Sequence, residues 1–368
     1  LEIFKLLSTS DPTVFTAGQA IIKPTSIMWA ERYRDPGEFE IIAPLSSGLV
    51  EFLPIGCFIS HLNTLEVMIV ENHEVAEDNI SDPFVKITGR SFESFLENRI
   101  VGMNQVRASS TISEYALSAT NTWVQVVSMI NDHIKNATYT DDNLPNVTAL
   151  HTVTGTGVVE ARTVKRTGLH RVILELLEME DLGIKTIRRN PFGGPSSSST
   201  ETRIVIHKGN DKSAQIIFSW KSGDLDKAEY LWSDKKLKNS AVVLGRYVNT
   251  VVDTAGATKY NRRSAIVTAD DIDGHLGATP SGAVLTDVIN KMQVRGREAI
   301  NSQNRVTITR ADLGDVSKYQ YRKDFEVGDL VSLDGNFGQI AVMRIIEYVE
   351  IFDENGESGH PTLSLPGE

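Results

Sequence analysis

The sequence predicts a β-rich α+β protein, with strands toward both ends of the chain and a mixed α/β region between them. Three observations predict it. Short apolar runs separated by turn residues dominate the first 90 positions. Four stretches with a helical period lie between Ser91 and Met292, and β-type runs return from Arg305 onward. At 368 residues the chain also exceeds the size at which a single hydrophobic core usually stops growing, so two or more domains are expected.

Residues 39–42, 49–52, 57–59 and 65–70 read as short strands. Between them stand Asp35-Pro36-Gly37, Pro44, Ser46-Ser47-Gly48 and Pro54-Ile55-Gly56, the residue types that tight turns need. Residues 85–89 alternate apolar and polar, and such closely spaced strands suggest a small antiparallel barrel or sandwich. After Gly89 the period changes. Ser91 is placed to cap a helix with Phe92, Phe95, Leu96 and Ile100 on one face. A second helix carries Trp123, Val126, Val127, Ile130 and Ile134. A third carries Leu169, Val172, Ile173, Leu176 and Leu177, with Gly183 placed to end it. These stripes read as core rather than as cofactor contacts.

The Gly, Pro and Ser residues from Asn190 to Thr200 cannot pack a core and predict a flexible loop. Strand signals resume at 203–206, 214–218, 229–232, 240–244 and 265–268. A fourth helix follows Ser281, with Val284, Leu285, Val288, Ile289 and Met292 on one side. The chain then returns to strands at 306–308, 330–333 and 339–351. Phe325-Glu326-Val327-Gly328-Asp329 reads as the turn that admits the second of these.

With 40% hydrophobic and 23% charged residues the composition is that of a globular protein. No apolar run approaches the roughly 18 residues of a membrane span, and positions 1–7 lack the basic start of a signal peptide. The single cysteine, Cys57, excludes an intramolecular disulfide framework and a multi-cysteine zinc site. In its apolar stretch, with no basic neighbour in sequence, it reads as a small buried hydrophobe. Asn136-Ala137-Thr138 and Asn146-Val147-Thr148 match glycosylation sequons by chance in such a chain.

The net charge of −11 is unevenly spread. Residues 1–159 hold 9 basic and 19 acidic groups, residues 160–263 hold 19 and 12, and residues 320–368 hold 3 and 10. That balance argues against a nucleic-acid binder, which needs a concentrated positive face. A basic middle between acidic ends suits a subunit whose faces meet unlike partners or copies of itself.

No catalytic, cofactor-binding or metal site is read from the sequence. The eight histidines are scattered, without the spacing of a zinc or calcium motif. Asp270-Asp271-Ile272-Asp273-Gly274 with His275 is the densest acidic cluster and the one place to examine for a cation, although a polar turn before a helix is the favoured reading. Gly155-Thr156-Gly157 lacks the strand, helix and third glycine of a dinucleotide site, and no phosphate-binding loop or nucleophile elbow occurs. A triad or carboxylate pair assembled across long separations leaves no trace in sequence.

Four stretches resemble one family, the hub or tail-associated proteins of siphophages, including the group related to a tail protein of a Rhodococcus phage. Residues 27–40, with Trp29, Arg32, Tyr33 and Pro36-Gly37-Glu38-Phe39, look like that family's approach to its first barrel. Residues 87–100 are similar to its strand-Gly-helix step ending in Leu96 and Arg99. Residues 211–245 contain Ile217-Phe218-Ser219, then Asp224-Leu225 and Tyr230, and residues 321–332 look like the step into the final barrel. Each motif is loose alone; their order along the chain carries the weight.

The resemblance implies two small antiparallel β-barrel domains with α/β insertion domains. The first barrel would occupy 1–90, the insertions 91–202 with 250–304, and the second barrel 203–249 with 305–368. It implies a non-enzymatic baseplate hub at the tail tip of the virion, without cofactors. Three copies would form a ring joining the hexameric tail tube to a threefold tip or fibre. The implied partners are the distal tail protein or tail tube ring, the tape measure protein and tip or fibre proteins, with no membrane contact. DNA would pass without specific binding, as an acidic lumen favours. Trp29 and Phe39 would anchor the first barrel, and Arg99 would meet the carbonyls ending its helix. Two alternatives stand beside this reading: a tail-associated peptidoglycan hydrolase with its catalytic part elsewhere, and a receptor- or glycan-binding tail module.

Overall fold

The structure, a computed structural model, describes residues 3–8, 15–21, 24–76, 83–102, 114–135, 143–144, 146–154, 161–165, 167–188, 202–235, 237–301, 306–313, 318–334 and 340–366. The stretches Gly155-Thr156-Gly157, 190–200 and Asn136-Ala137-Thr138 lie outside the described residues.

The N-terminal strands are β1 (Ile3–Ser8), β2 (Phe15–Ala20), β3 (Ser26–Arg32), β4 (Glu38–Pro44), β5 (Phe58–His61), β6 (Met68–Ala76) and β7 (Phe84–Ser91). They run antiparallel in the order β3-β4-β7-β6-β5-β1-β2. Alternation sets the buried face: Ile27 and Trp29, Phe39 and Ile41, Val85 and Ile87 point inward, with Met28, Glu40 and Lys86 between them half-buried. Trp29 pairs with Phe39 in register and the two rings stack 6.2 Å apart, at the centre of a core with Leu49, Leu53, Ile59 and Val70.

Four local expectations differ from the structure. Residues 49–52, read as a strand, form a helical turn, α1 (Leu49–Phe52), because Leu49 and Leu53 bury one face at helical spacing. Ser91 caps no helix; its hydroxyl accepts from the Gly37 amide at 2.9 Å, and a 3₁₀ turn (Phe92–Asn98) follows. Phe92 and Leu96 are buried but Ile100 is 46% exposed, since the helix ends at Asn98, the backbone is extended at Arg99, and Ile100 bridges Gly168 instead. Arg99 lies over the Phe95 ring rather than capping carbonyls.

An α/β unit follows: β8 (Glu114–Leu117), α2 (Thr122–Ile130), β9 (Val147–His151), β10 (Arg162–Lys165), α3 (Leu169–Met179), β11 (Gly183–Ile187) and β12 (Thr202–His207). The two helices share one core with β9, β11 and β12, formed by Trp123, Val126, Ile173, Leu177, Ile204 and Ile206 among others. Gly183 does not end α3, which stops at Met179. It opens β11 instead, where a Cβ would sit 2.2 Å from the Tyr33 ring, so only glycine lets the strand lie against that tyrosine.

The remaining strands are β13 (Ile217–Ser219), β14 (Leu225–Ser233), β15 (Ser240–Leu244), β16 (Asn249–Asp253), β17 (Ser264–Thr268), β18 (Val306–Leu313), β19 (Leu330–Asp334), β20 (Ile340–Asp353) and β21 (Gly356–Ser364). Strand β15 pairs β16 and β17 rather than the C-terminal strands, and this small sheet carries α4 (Asp270–Asp273) and α5 (Gly282–Asn301). On α5, Val288 and Met292 are buried but Val284 is 50% exposed, so the apolar stripe starts a turn later than its sequence period predicts.

Strand β20 joins the two ends of the molecule. Its first five residues pair β19, and residues 347–352 pair β3. The result is one 13-stranded sheet in the order β14-β18-β21-β20-β3-β4-β7-β6-β5-β1-β2, with β19 and β13 branching from β20. Among the described residues no sheet closes on itself, so the two barrels expected from the resemblance are not present as closed barrels. The physical reason is the length of β20: at 14 residues it outruns β19, whose pairing stops at Arg344, and offers the rest of that edge to β3 while β21 holds the other edge.

Candidate functional site

The densest chemistry lies where the two sheet halves and the first α/β unit meet. Strand β3 supplies it. Ile27, Trp29, Glu31 and Tyr33 share one face by the two-residue period, so Glu31 is a carboxylate on an apolar face. Its Oε1 accepts from Arg322 Nη2 at 2.6 Å and from Trp29 Nε1 at 3.3 Å, and its Oε2 accepts from the Tyr321 hydroxyl at 2.5 Å. Burial pushes the Glu31 carboxyl up, but the Arg322 charge and these donors outweigh it and hold the group below the ordinary glutamate value.

Arg322 sits in the left-handed region at φ 62°, one of two non-glycine residues to do so among the described residues. The turn is held by its amide donating to the Phe325 carbonyl at 2.8 Å. Its guanidinium also donates to Glu350 Oε1 at 2.9 Å and lies over the Tyr321 ring, which stacks on Tyr348 at 3.7 Å. One arginine from the C-terminal half thus binds carboxylates on β3 and β20.

The other left-handed residue, Asp181 at φ 53°, makes the second node. Its carboxylate accepts from Arg34 at 2.5 Å and from Arg344 at 2.7 Å, and its carbonyl accepts from the Tyr33 hydroxyl at 2.8 Å. Arg344 further donates to the carbonyls of Lys208 and Gly328 and is 2% exposed. The loop after α3 is thereby tied to both sheet halves. His207 meets Tyr33 edge-on at 5.4 Å; burial, then the Lys185 and Arg344 charges, lower it to about 3. Arg188 donates to Ser60 Oγ at 2.8 Å and to the Thr64 carbonyl at 3.1 Å, with burial lowering it to about 10.

Two clefts adjoin these nodes. One of about 540 Å³ is lined by His207, Lys208, Asn210, Glu326 and Arg344 among others; a neighbour of about 260 Å³ is lined by Glu31, Glu66, Lys185 and Arg322. Glu66 is 8% exposed, and among the described residues its Oε2 has no hydrogen-bond partner. Burial first, then the charges of Glu31 and Glu93, hold its carboxyl well above the ordinary value. Arg322 and Arg344, with side chains 15% and 3% exposed, are committed to carboxylates and carbonyls, so the arrangement clamps three parts of the chain together.

The acidic cluster that the sequence singles out has other uses. Asp273 is buried and accepts from the amides of Arg246, Tyr247 and Val248 at 2.7–2.9 Å, and Asp271 pairs with Arg295. Among the described residues no three His, Cys, Asp or Glu side chains converge as metal ligands. Cys57 is half-buried, and burial pushes its thiol up to about 11 against the opposing charge of Lys5, a basic neighbour brought by the fold and not by the sequence. The junction residues went unread in the sequence, although two signals were present. Glu31 falls on the Trp29–Tyr33 face, and Arg344 interrupts the apolar run of β20.

The profile of the family described as "Siphovirus ReqiPepy6 Gp37-like protein" matches residues 16–363. No curated protein matches the chain. Among solved structures, the 43 kDa tail protein of prophage MuSo2 from Shewanella oneidensis superposes with a TM-score of 0.58 at 10% identity, covering 100% of this chain and 98% of that one. The tail protein from Neisseria meningitidis MC58 gives 0.53 at 10% identity over 99% and 96%. Prophage tail protein gp18 from Listeria monocytogenes EGD-e gives 0.51 at 11% identity over 94% and 90%. These are likenesses of fold, spread over nearly the whole of each chain. The family match over residues 16–363 is direct, and the chain belongs to the Siphovirus ReqiPepy6 Gp37-like proteins, a family of siphovirus tail proteins.

Proposed function

We propose that this tail protein is a non-catalytic baseplate-hub or tail-tip subunit, three copies of which form a ring. The ring joins the hexameric tail tube to a threefold tip or fibre and passes DNA without binding it specifically. In this reading the two sheet halves are hub domains, each lending a barrel-like element to a collar of six, and the α/β units are insertions. The distal tail protein or tube ring, the tape measure protein and tip or fibre proteins are its neighbours.

The observation that carries the reading is the pairing of β20 with β3. It welds the halves edge to edge, and the Glu31–Arg322–Glu350 and Arg34–Asp181–Arg344 nodes clamp the weld. A subunit that presents two similar halves to a sixfold tube from a threefold ring needs them fixed relative to each other. The net charge of −11 fits a lumen that repels phosphate.

Light scattering over a range of protein concentration and salt tests the ring. A species near three times 40.6 kDa is expected. A monomer at every condition overturns it.

A further inference from the structure

The small β16-β15-β17 sheet buries one face and exposes the other. Ala241, Val243 and Val252 pack with α5. The register sets Val242 beside both Val251 and Ile266, so these three form one row across the opposite face. Val251 is 53% and Ile266 76% exposed, and Tyr260, between β16 and β17, is 86% exposed. Single exposed apolar residues are ordinary; a row across three strands of one sheet is the pattern of a contact surface.

The rim of this face carries one sign of charge. Among the described residues of 235–263 there are six lysines and arginines against one acid, Asp253, which Arg262 already binds. The counterpart lies elsewhere on the same chain. Residues 347–357, the far part of β20 and its turn into β21, hold five carboxylates and no basic residue. Glu347 and Glu350 pair with Arg32 and Arg322, and the side chains of Glu354 and Glu357 reach solvent at the turn.

We propose that the outer face of the β16-β15-β17 sheet docks a second copy of this chain through that copy's acidic β20–β21 turn. Val251, Val242 and Ile266 lose water at the centre, and Lys259 and its basic neighbours face Glu354 and Glu357 at the rim. Because the two patches are different surfaces, the contact is head-to-tail, the type that closes into a ring when the rotation permits. Apolar burial supplies the affinity and the opposed charges the register. The proposal rests on the ring reading above and names its contact.

The test is the mass in solution of full-length wild type and of three variants, with circular dichroism confirming the fold. Ile266→Asp, at an exposed position, is expected to weaken self-association by more than about tenfold and yield monomer. Lys259→Glu is expected to weaken it, and adding Glu354→Lys to restore it. A wild-type trimer that Ile266→Asp leaves intact overturns this face and spares the ring. Loss of trimer in Ile266→Asp without rescue in the charge swap overturns the β20–β21 turn as occupant. A wild type monomeric throughout overturns both. Association that requires a different tail protein on this face assigns it to that partner and overturns the proposal.

Discussion

Replacing Arg322 by Met tests whether the junction holds the halves together. The side chains of Arg322, Glu31 and Glu350 are 15%, 9% and 20% exposed, so the substitution leaves one nearly buried carboxylate and one partly buried carboxylate without their cation. Removing one partner of a buried pair costs about 3–5 kcal/mol. Two features place this case near the lower end. Glu31 keeps its donors Tyr321 and Trp29, and Glu350 has enough exposure to regain water. The backbone at φ 62° costs methionine and arginine alike and cancels. A loss of about 3 kcal/mol is therefore expected. It should be read by urea unfolding followed through tryptophan fluorescence. Adding Glu31→Gln removes the orphan charge while keeping an acceptor for Tyr321, so the double variant should recover about 1 kcal/mol or more. The loss in the single variant should also shrink at low pH, where Glu31 takes up a proton. A loss under about 1 kcal/mol, or one that Glu31→Gln deepens, would refute the assignment of the junction as an electrostatic clamp.

Glu66 holds its proton more tightly in the folded chain than in the unfolded one, so its ionisation makes wild-type stability fall as pH rises above the ordinary glutamate value. Glu66→Gln should gain on wild type progressively as pH rises above the ordinary glutamate value; parallel melting curves would count against it. Asp273→Ala strands three backbone amides and should cost at least about 2 kcal/mol, whereas Asp273→Asn, which keeps one acceptor oxygen, should cost less in the same thermal melt. Gly296→Ala gains about 1 kcal/mol of helix propensity on α5. Its Cβ would nevertheless stand 2.7 Å from Val252 and 2.9 Å from Val243, an overpacking worth about 1–3 kcal/mol, so a net loss is expected that Val252→Ala relieves.

Local periodicity carries far in this chain. The two-residue alternation of 85–89 and the helical spacing of Trp123 to Ile130 and of Leu169 to Leu177 are properties of contiguous residues, and the structure reproduces them as β7, α2 and α3, with Ile134 buried in a π-helical turn that follows α2. Where local signals compete, they mislead: residues 49–52 satisfy strand composition but bury at helical spacing, and Gly183 looks like a helix stop until Tyr33 arrives against it from 150 residues away. The order of loosely matching motifs along the chain points to the siphovirus family whose profile matches residues 16–363, although no one motif is specific by itself. Position in space is a different matter. Whether strands at the two ends close separately or share an edge depends on which edge β20 meets, and a 14-residue strand reads the same in either case. The junction follows the same logic. Glu31 and Arg322 are 291 positions apart, and each alone resembles an ordinary surface charge. Only the pairing of β20 with β3 brings them within 2.6 Å, in surroundings where an unpaired charge is costly. From its sequence alone, then, this protein is a β-rich tail component with identifiable helices; its open continuous sheet and buried ionic clamp come from long-range pairing that no local pattern encodes.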